Sequence, residues 1–252
     1  YLIKRFMWKK KLYIKNNLTP FTISRTKIDL FFDCQRCFYL DQRFGIKRPH
    51  GTSLVINKFV VNHFKNILNE FRINQNIFPD SAKINKKLIP SNNTFLEDWT
   101  HPFKGISYIE KKTNFKIKAN LDDIWICQET KKNFPVIIKS TSRKKEIDSE
   151  NIWPGYWKQL SLYSYLLSKN SIETSSTGIL VYLNTSEHFP NESKKIDFEL
   201  LIFEKKLDLS WIESTFDSIY KVLNSDQVPP INLNCKYCRY QSKVQEIIDG
   251  KP

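Results

Sequence analysis

Nearly the whole chain separates two C-x-x-C pairs, Cys34 with Cys37 near one end and Cys235 with Cys238 near the other. Two thiols at this spacing suit a tetrahedral zinc ion or an iron–sulfur cluster, and two such pairs complete a set of four ligands. A metal held by all four closes a loop of almost the entire domain. The two ends must then meet in space, and losing one ligand must destabilise strongly. Disulfides would impose the same closure. The opening residues carry no secretory pattern and the composition looks intracellular, which favours metal over disulfides and a cytoplasmic setting. The fifth cysteine, Cys127, lies in an apolar run and reads as a buried side chain.

The 252 residues suit one generous domain, and 40% hydrophobic content is ample for its core. No stretch approaches a membrane-spanning run of apolar residues, so no membrane association is expected. Forty Lys and Arg against 26 Asp and Glu leave a net charge of +14, a field that attracts phosphate backbones. Lysine far outnumbers arginine among them, and the abundance of Lys, Ile and Asn also fits AT-rich coding. Charge therefore sets a direction and not a function. Residues 1–17 interleave cations with Tyr1, Phe6, Trp8 and Tyr13 and read as a basic aromatic N-terminal extension; residues 18–252 read as the domain proper.

Ser24 is a candidate N-cap for a helix through TKIDLFFDCQRCFYL, with Ile28, Phe31, Phe32 and Tyr39 as its apolar face. A second helix is predicted from about Ser53 to Phe71, with Val55, Phe59, Val60 and Phe64 near helical spacing. Asn74 to His101 reads as irregular. FKIKANLDDIWIC then reads as a strand, QETKKN as a hairpin turn and FPVIIKS as a buried strand. A helix from about Gly155 to Ser168, strands over GILVYLNT and IDFELLIFEK, and a helix over SWIESTFDSIYKVLNS follow, before a short cysteine-bearing tail. The order implies a mixed α/β domain with helices around one sheet.

Asp122 and Asp123 fall late in the first of these strands and Lys139 in the next. Strand alternation puts Asp122 on the face of Ile124 and Asp123 on the other. An acid and a lysine on adjacent strands can hold a metal and orient water against a phosphodiester, although a strand-end Asp is also a common turn residue. Gln159 and Tyr163 share a helix face at i, i+4 and can reach one ligand, although a Tyr on an apolar helix is also a common core residue.

Taken together, ISRTKIDLFFDCQRCFYL, LDDIW, VIIKSTS, KQLSLYSYLL and NCKYCRY resemble the PD-(D/E)XK nuclease superfamily. The likeness is to its RecB-like branch, which includes CRISPR-associated exonucleases with a four-cysteine cluster. The pieces come in the family's order between about Thr19 and Tyr240. The resemblance implies a restriction-endonuclease-like core, a central mixed sheet flanked by helices, its terminal segments joined by the four-cysteine site. It implies exonuclease-like, metal-dependent phosphodiester hydrolysis of the repair or recombination type. Asp122 matches the first acid and ligates Mg²⁺ or Mn²⁺, Lys139 matches the lysine, and Gln159 with Tyr163 match the Q-x-x-x-Y pair that contacts substrate. Cys34, Cys37, Cys235 and Cys238 match the terminal 4Fe–4S cluster, with zinc the alternative because the family usually divides its cysteines one and three. The implied partner is DNA, single-stranded or with free ends; a helicase or recombination partner stays open.

One departure matters most. Where the family places a second carboxylate two residues before the lysine, this chain has Ile137. Losing a metal ligand commonly costs orders of magnitude in rate where positioning and charge do the catalysis. His63 and Glu70 on the predicted second helix are the remaining candidate ligands. An eroded site on a nuclease fold is one expectation; the alternative is a catalytically inactive nuclease-fold protein that binds DNA or a partner.

Overall fold

The computed structural model of the protein describes residues 11–49, 51, 55–76, 78, 87–143, 147–185 and 198–250. Its elements in chain order are β1 (Phe21–Ser24), α1 (Arg25–Asp33), α2 (Gln35–Phe44), α3 (Val55–Asn74), β2 (Leu88–Pro90), α4 (Leu96–Thr100), β3 (Ile106–Glu110), β4 (Phe115–Ala119), β5 (Asp123–Cys127), β6 (Asn133–Thr141), α5 (Pro154–Lys169), β7 (Thr177–Thr185), β8 (Phe198–Lys206), α6 (Trp211–Asn224) and α7 (Lys236–Ile248). The architecture is α/β, with a mixed five-stranded sheet of order β2-β5-β6-β7-β8, a three-stranded sheet of order β1-β4-β3, and flanking helices. The chain divides into two units. One comprises Tyr1–Gly51, Ile109–Ile117 and Glu213–Pro252; the other comprises Thr52–Tyr108 and Lys118–Ile212.

In the second unit β5 and β6 form an antiparallel hairpin with Asp123 opposite Val136. β6 and β7 run parallel, Ile137 beside Leu180 and Lys139 beside Tyr182, so their connection needs a crossover, and α5 supplies it. β8 returns antiparallel to β7. Alternation sorts the side chains by face. Trp125, Val136, Ile138, Ile179 and Val181 form one core with Leu68 of α3, and Val60, Val61, Phe64 and Phe71 pack against it. Ile137 and Leu180 point the other way and are fully buried. On α5 every residue from Gln159 to Leu167 is buried. Its Leu160 approaches Gly178 so closely that a side chain on that strand residue would be crowded. Each buried Leu here contributes about 1.5–3 kcal/mol of burial energy.

Several segments differ from their sequence reading for identifiable reasons. The single strand expected over Phe115–Cys127 breaks after Ala119, and β4 and β5 enter different sheets. At the break the Leu121 amide donates to the Trp99 carbonyl and the Asn120 carboxamide to that of His101, taking polar groups out of a ladder. The segment expected to be irregular contains β2 and α4, while its residues 77 and 79–86 lie outside the described residues. On α3, Val55 and Phe59 are exposed and the inward face is instead Val60, Phe64 and Leu68; Ser53, the expected start of that helix, lies outside the described residues. Phe32 is likewise exposed on α1. Ser24 occupies the N-cap position of α1 without a side-chain cap bond, and the cysteine tail continues as α7.

In the first unit Phe31 meets Phe38 edge to face, and Tyr13 meets Phe21 in the same way. Tyr13 is buried and its hydroxyl accepts from the Asn224 carboxamide, which anchors the described part of the expected extension on this unit at that residue; residues 1–10 lie outside the described residues. Arg43 of α2 donates to the Leu223 carbonyl at 3.1 Å, satisfying an end of α6 that has no helical partner. Among the described residues no helix is long and apolar enough to cross a membrane.

Candidate functional site

The helix expected to run through Cys34 is interrupted there. Cys34 takes an extended backbone, ends α1 and becomes the N-cap of α2, where its Sγ accepts the Cys37 amide at 3.4 Å. Amphipathic periodicity continues across the break, but the sulfur's claim on that amide decides the local structure. Cys235 is the N-cap of α7, without a side-chain cap bond, and Cys238 lies in the following turn. Both C-x-x-C pairs therefore use a helix start, where free amides stabilise thiolate charge.

The four sulfurs converge. Cys34 and Cys238 stand 3.6 Å apart, Cys37 and Cys235 3.7 Å, and Cys37 and Cys238 3.9 Å. All four are buried, and their ligand atoms lie within 4.8 Å of one another. These separations are well beyond a disulfide bond of about 2 Å, and the four thiols are free. The arrangement is a ligand set for zinc or iron–sulfur chemistry. Burial pushes Cys37 up to about 12. Against the same upward push, the amides of Cys238 and Tyr237 and the thiols of Cys37 and Cys238 hold Cys235 down at about 7. Arg48 completes the surroundings. Its Nη2 donates to Cys235 Sγ at 3.1 Å, its Nη1 pairs with Asp33, and its guanidinium lies 4.8 Å from the Tyr237 ring centre. With a metal bound, four thiolates would be strongly anionic, and this arginine would offset part of that charge.

In the second unit, Asp122 sits just before β5. Its Oδ2 accepts from the Ile138 amide at 3.1 Å and from Lys139 Nζ at 3.4 Å, while Lys65 Nζ of α3 is 3.7 Å from Oδ1. The structure thus brings the sequence-predicted Asp122 and Lys139 together and adds Lys65. Asp123 faces α3, as alternation requires, and is bound by Arg72, whose Nη2 donates to Oδ1 at 2.5 Å. Burial pushes the Asp123 carboxyl up, and Arg72 pulls it back part of the way. A cleft of about 750 Å³ opens over both carboxylates, lined also by Asn69, Asn92, Asn93 and Thr94.

This donor set does not fit a resident Mg²⁺ or Mn²⁺. Ile137 is fully buried at the position where the resemblance expects a second acid, Asp123 is committed to Arg72, two ammoniums crowd Asp122, and Glu97, the other acid lining the cleft, joins no group of three placed to share an ion. His63 is exposed and stacked on Phe59, and Glu70 is exposed. Among the described residues, the four cysteines are the only group of three or more His, Cys, Asp or Glu side chains placed to share an ion.

Gln159 and Tyr163 are both buried and face each other. Gln159 Nε2 donates to the Tyr163 hydroxyl at 2.5 Å, which in turn donates to the Asn120 carbonyl at 2.6 Å. The pair therefore tethers α5 to the turn that presents Asp122, a positioning role in this structure. Sequence reasoning missed Lys65, Arg72 and Arg48. The only available signals were the unpaired acids of the Asp122–Asp123 doublet and a basic side chain near each metal-type motif. Set against known proteins, the chain matches no family model and no curated protein.

Proposed function

We propose that this protein binds DNA through a restriction-endonuclease-like core that no longer supports metal-dependent hydrolysis, and that its four cysteines hold a single zinc ion. The observation that carries the first part is the company of Asp122: two lysine ammoniums and, within its contacts, no second carboxylate. At Asp122 itself one negative charge meets two positive ones, which favours a phosphodiester over a cation at that point, while of the other acids lining the cleft Asp123 is paired with Arg72 and Glu97 stands at its wall. The amides of Asn69, Asn92 and Asn93 line the same cleft and offer neutral donors to phosphate oxygens. The nuclease-type core is supported by the placement of Asp122 and Lys139 on a β-hairpin and of Gln159 and Tyr163 on the crossover helix that follows.

For the cysteine site, a tetrahedral ion with bonds of about 2.3 Å sets its sulfurs about 3.8 Å apart. Three of the six sulfur–sulfur separations, 3.6, 3.7 and 3.9 Å, match that spacing, and all six lie within 4.8 Å, which supports that reading. A four-iron cluster interposes iron and sulfide between its thiolates and needs a wider cage. Reduced thiolates of this kind suit a cytoplasmic setting.

The test is cleavage and retention on single- and double-stranded DNA with Mg²⁺ or Mn²⁺ supplied. The expected result is salt-sensitive binding without cleavage above that of the Asp122→Ala protein. Lys65→Ala and Lys139→Ala should each lower the salt slope of binding by about one. Cleavage that disappears in Asp122→Ala would restore the hydrolytic reading, which the Asp122–Lys139 contact favours. A colourless protein carrying one zinc per chain is expected; a visible-range absorbance band after anaerobic purification would establish iron–sulfur instead.

A further inference from the structure

A path of aromatic rings leads away from Lys139 over the first turn of α5. Lys139 Nζ stands 5.5 Å from the centre of the Tyr156 ring. Tyr156 meets Trp153 edge to face, with centroids 5.1 Å apart and planes at 86°. Trp153 is the N-cap of α5 and precedes Pro154, which restricts its backbone. Its indole lies over Gly155, where any added side chain would run into the ring. The ring is therefore seated against bare backbone on one side and against Tyr156 at its edge.

Despite that fixed seat, Trp153 is 56% exposed. A Trp serving the core would bury that surface, and a ring held in place but left bare has already lost much of the freedom that binding would cost. Two further ring–cation pairs each include a residue of the same helix. Lys205 Nζ lies 5.5 Å from the Trp157 ring centre and Lys158 Nζ 5.9 Å from that of Trp211. Rings alternating with ammoniums match a ligand that alternates flat bases with phosphates.

We infer that Trp153 is a stacking platform for an unpaired nucleobase, beside a strand whose phosphates are held at Lys139. This rests on the DNA-binding reading above and narrows it to single strands, because a paired base is already stacked within its duplex and offers no free face. Tyr156 is the spacer that sets the indole relative to the lysine.

The experiment compares the full-length protein on an oligo(dT) strand and on an abasic strand of equal length, at one salt concentration. The wild type should bind oligo(dT) about tenfold more tightly, in line with one stacked base. Trp153→Ala should erase that preference while leaving abasic affinity unchanged, and Trp153→Phe should restore most of it. Gly155→Ala, which dislodges the indole without removing it, should behave like Trp153→Ala. Equal binding of both strands by the wild type, or a Trp153→Ala loss shared equally by both, overturns the platform and leaves phosphate binding standing. Absence of salt-dependent binding to either strand overturns the DNA reading and the platform with it.

Discussion

Cys37→Ser should unfold the unit built from the two ends of the chain. Structural zinc sites supply about 10–16 kcal/mol of apparent binding free energy, more than the roughly 5–15 kcal/mol that holds a typical domain together. A hydroxyl replaces the thiolate poorly, and three buried sulfurs within 4.8 Å of one another would remain without their shared counter-charge. Arg48 beside Cys235 would then face a broken site, unable to substitute for the ion. Hydrogen exchange read segment by segment is the suitable measurement. Protection should collapse in α1, α2 and α7 and persist in α3 and α5. A strong chelator acting on the unmodified protein should give the same pattern. Full protection in all five helices after complete metal removal would show that packing alone closes the ends.

Arg72→Met should be the most damaging single change in the other unit. The Asp123 side chain is 4% exposed, and Arg72 supplies its cation. The Arg72 Nε also donates to the Ser91 carbonyl at 2.5 Å, next to β2. Removing one partner of a buried pair costs about 3–5 kcal/mol because the other charge stays buried. Urea denaturation would read that loss. The pH dependence follows from the direction of the Asp123 shift. Its folded pKa is raised by burial, so its contribution is favourable below the unfolded value near 4 and is lost as pH rises through the folded value. Without Arg72 the shift grows, and the defect should be largest at neutral pH and shrink in acid. Adding Asp123→Asn to Arg72→Met should recover much of the stability, since the uncompensated charge is gone. A defect that stays constant with pH and survives Asp123→Asn would trace the loss to packing of the arginine stem.

The four-cysteine cluster was legible because its information is local: two short C-x-x-C spacings named all four residues, although the helix expected to run through Cys34 breaks there. The β5–β6 hairpin was legible for a related reason, since alternation and a polar turn place Asp122 near Lys139 without knowledge of anything distant. What stayed hidden depends on contacts across the chain. Lys65 and Arg72 look like solvent-facing charges on α3, and only the packing of that helix on the sheet turns them toward Asp122 and Asp123. Val55 and Phe59 carry the apolar period of the same helix yet lie outside its contact with the sheet. At Asn120 the strand pattern continues while hydrogen bonds from Tyr163 and to His101 claim the backbone and carboxamide. Gln159 and Tyr163 were found by spacing, but spacing could not show that they bond to each other and to that turn.

A unit assembled from both ends of a chain is also a unit finished late in time. Cys34 and Cys37 leave the ribosome about 200 residues before Cys235 and Cys238, which at 5–20 residues per second is roughly 10–40 s. Throughout that interval they form half a ligand set, two thiols that can recruit a metal only loosely. The five-stranded sheet and α5 lie wholly within the intervening stretch and have all their strands before the second pair appears. A chain truncated after residue 225 and released should accordingly show protease resistance in β5, β6, α5 and β7 while α1 and α2 are cut. If the cysteines hold the proposed ion, its capture is the last step of assembly and marks a chain that has been made through to Cys238.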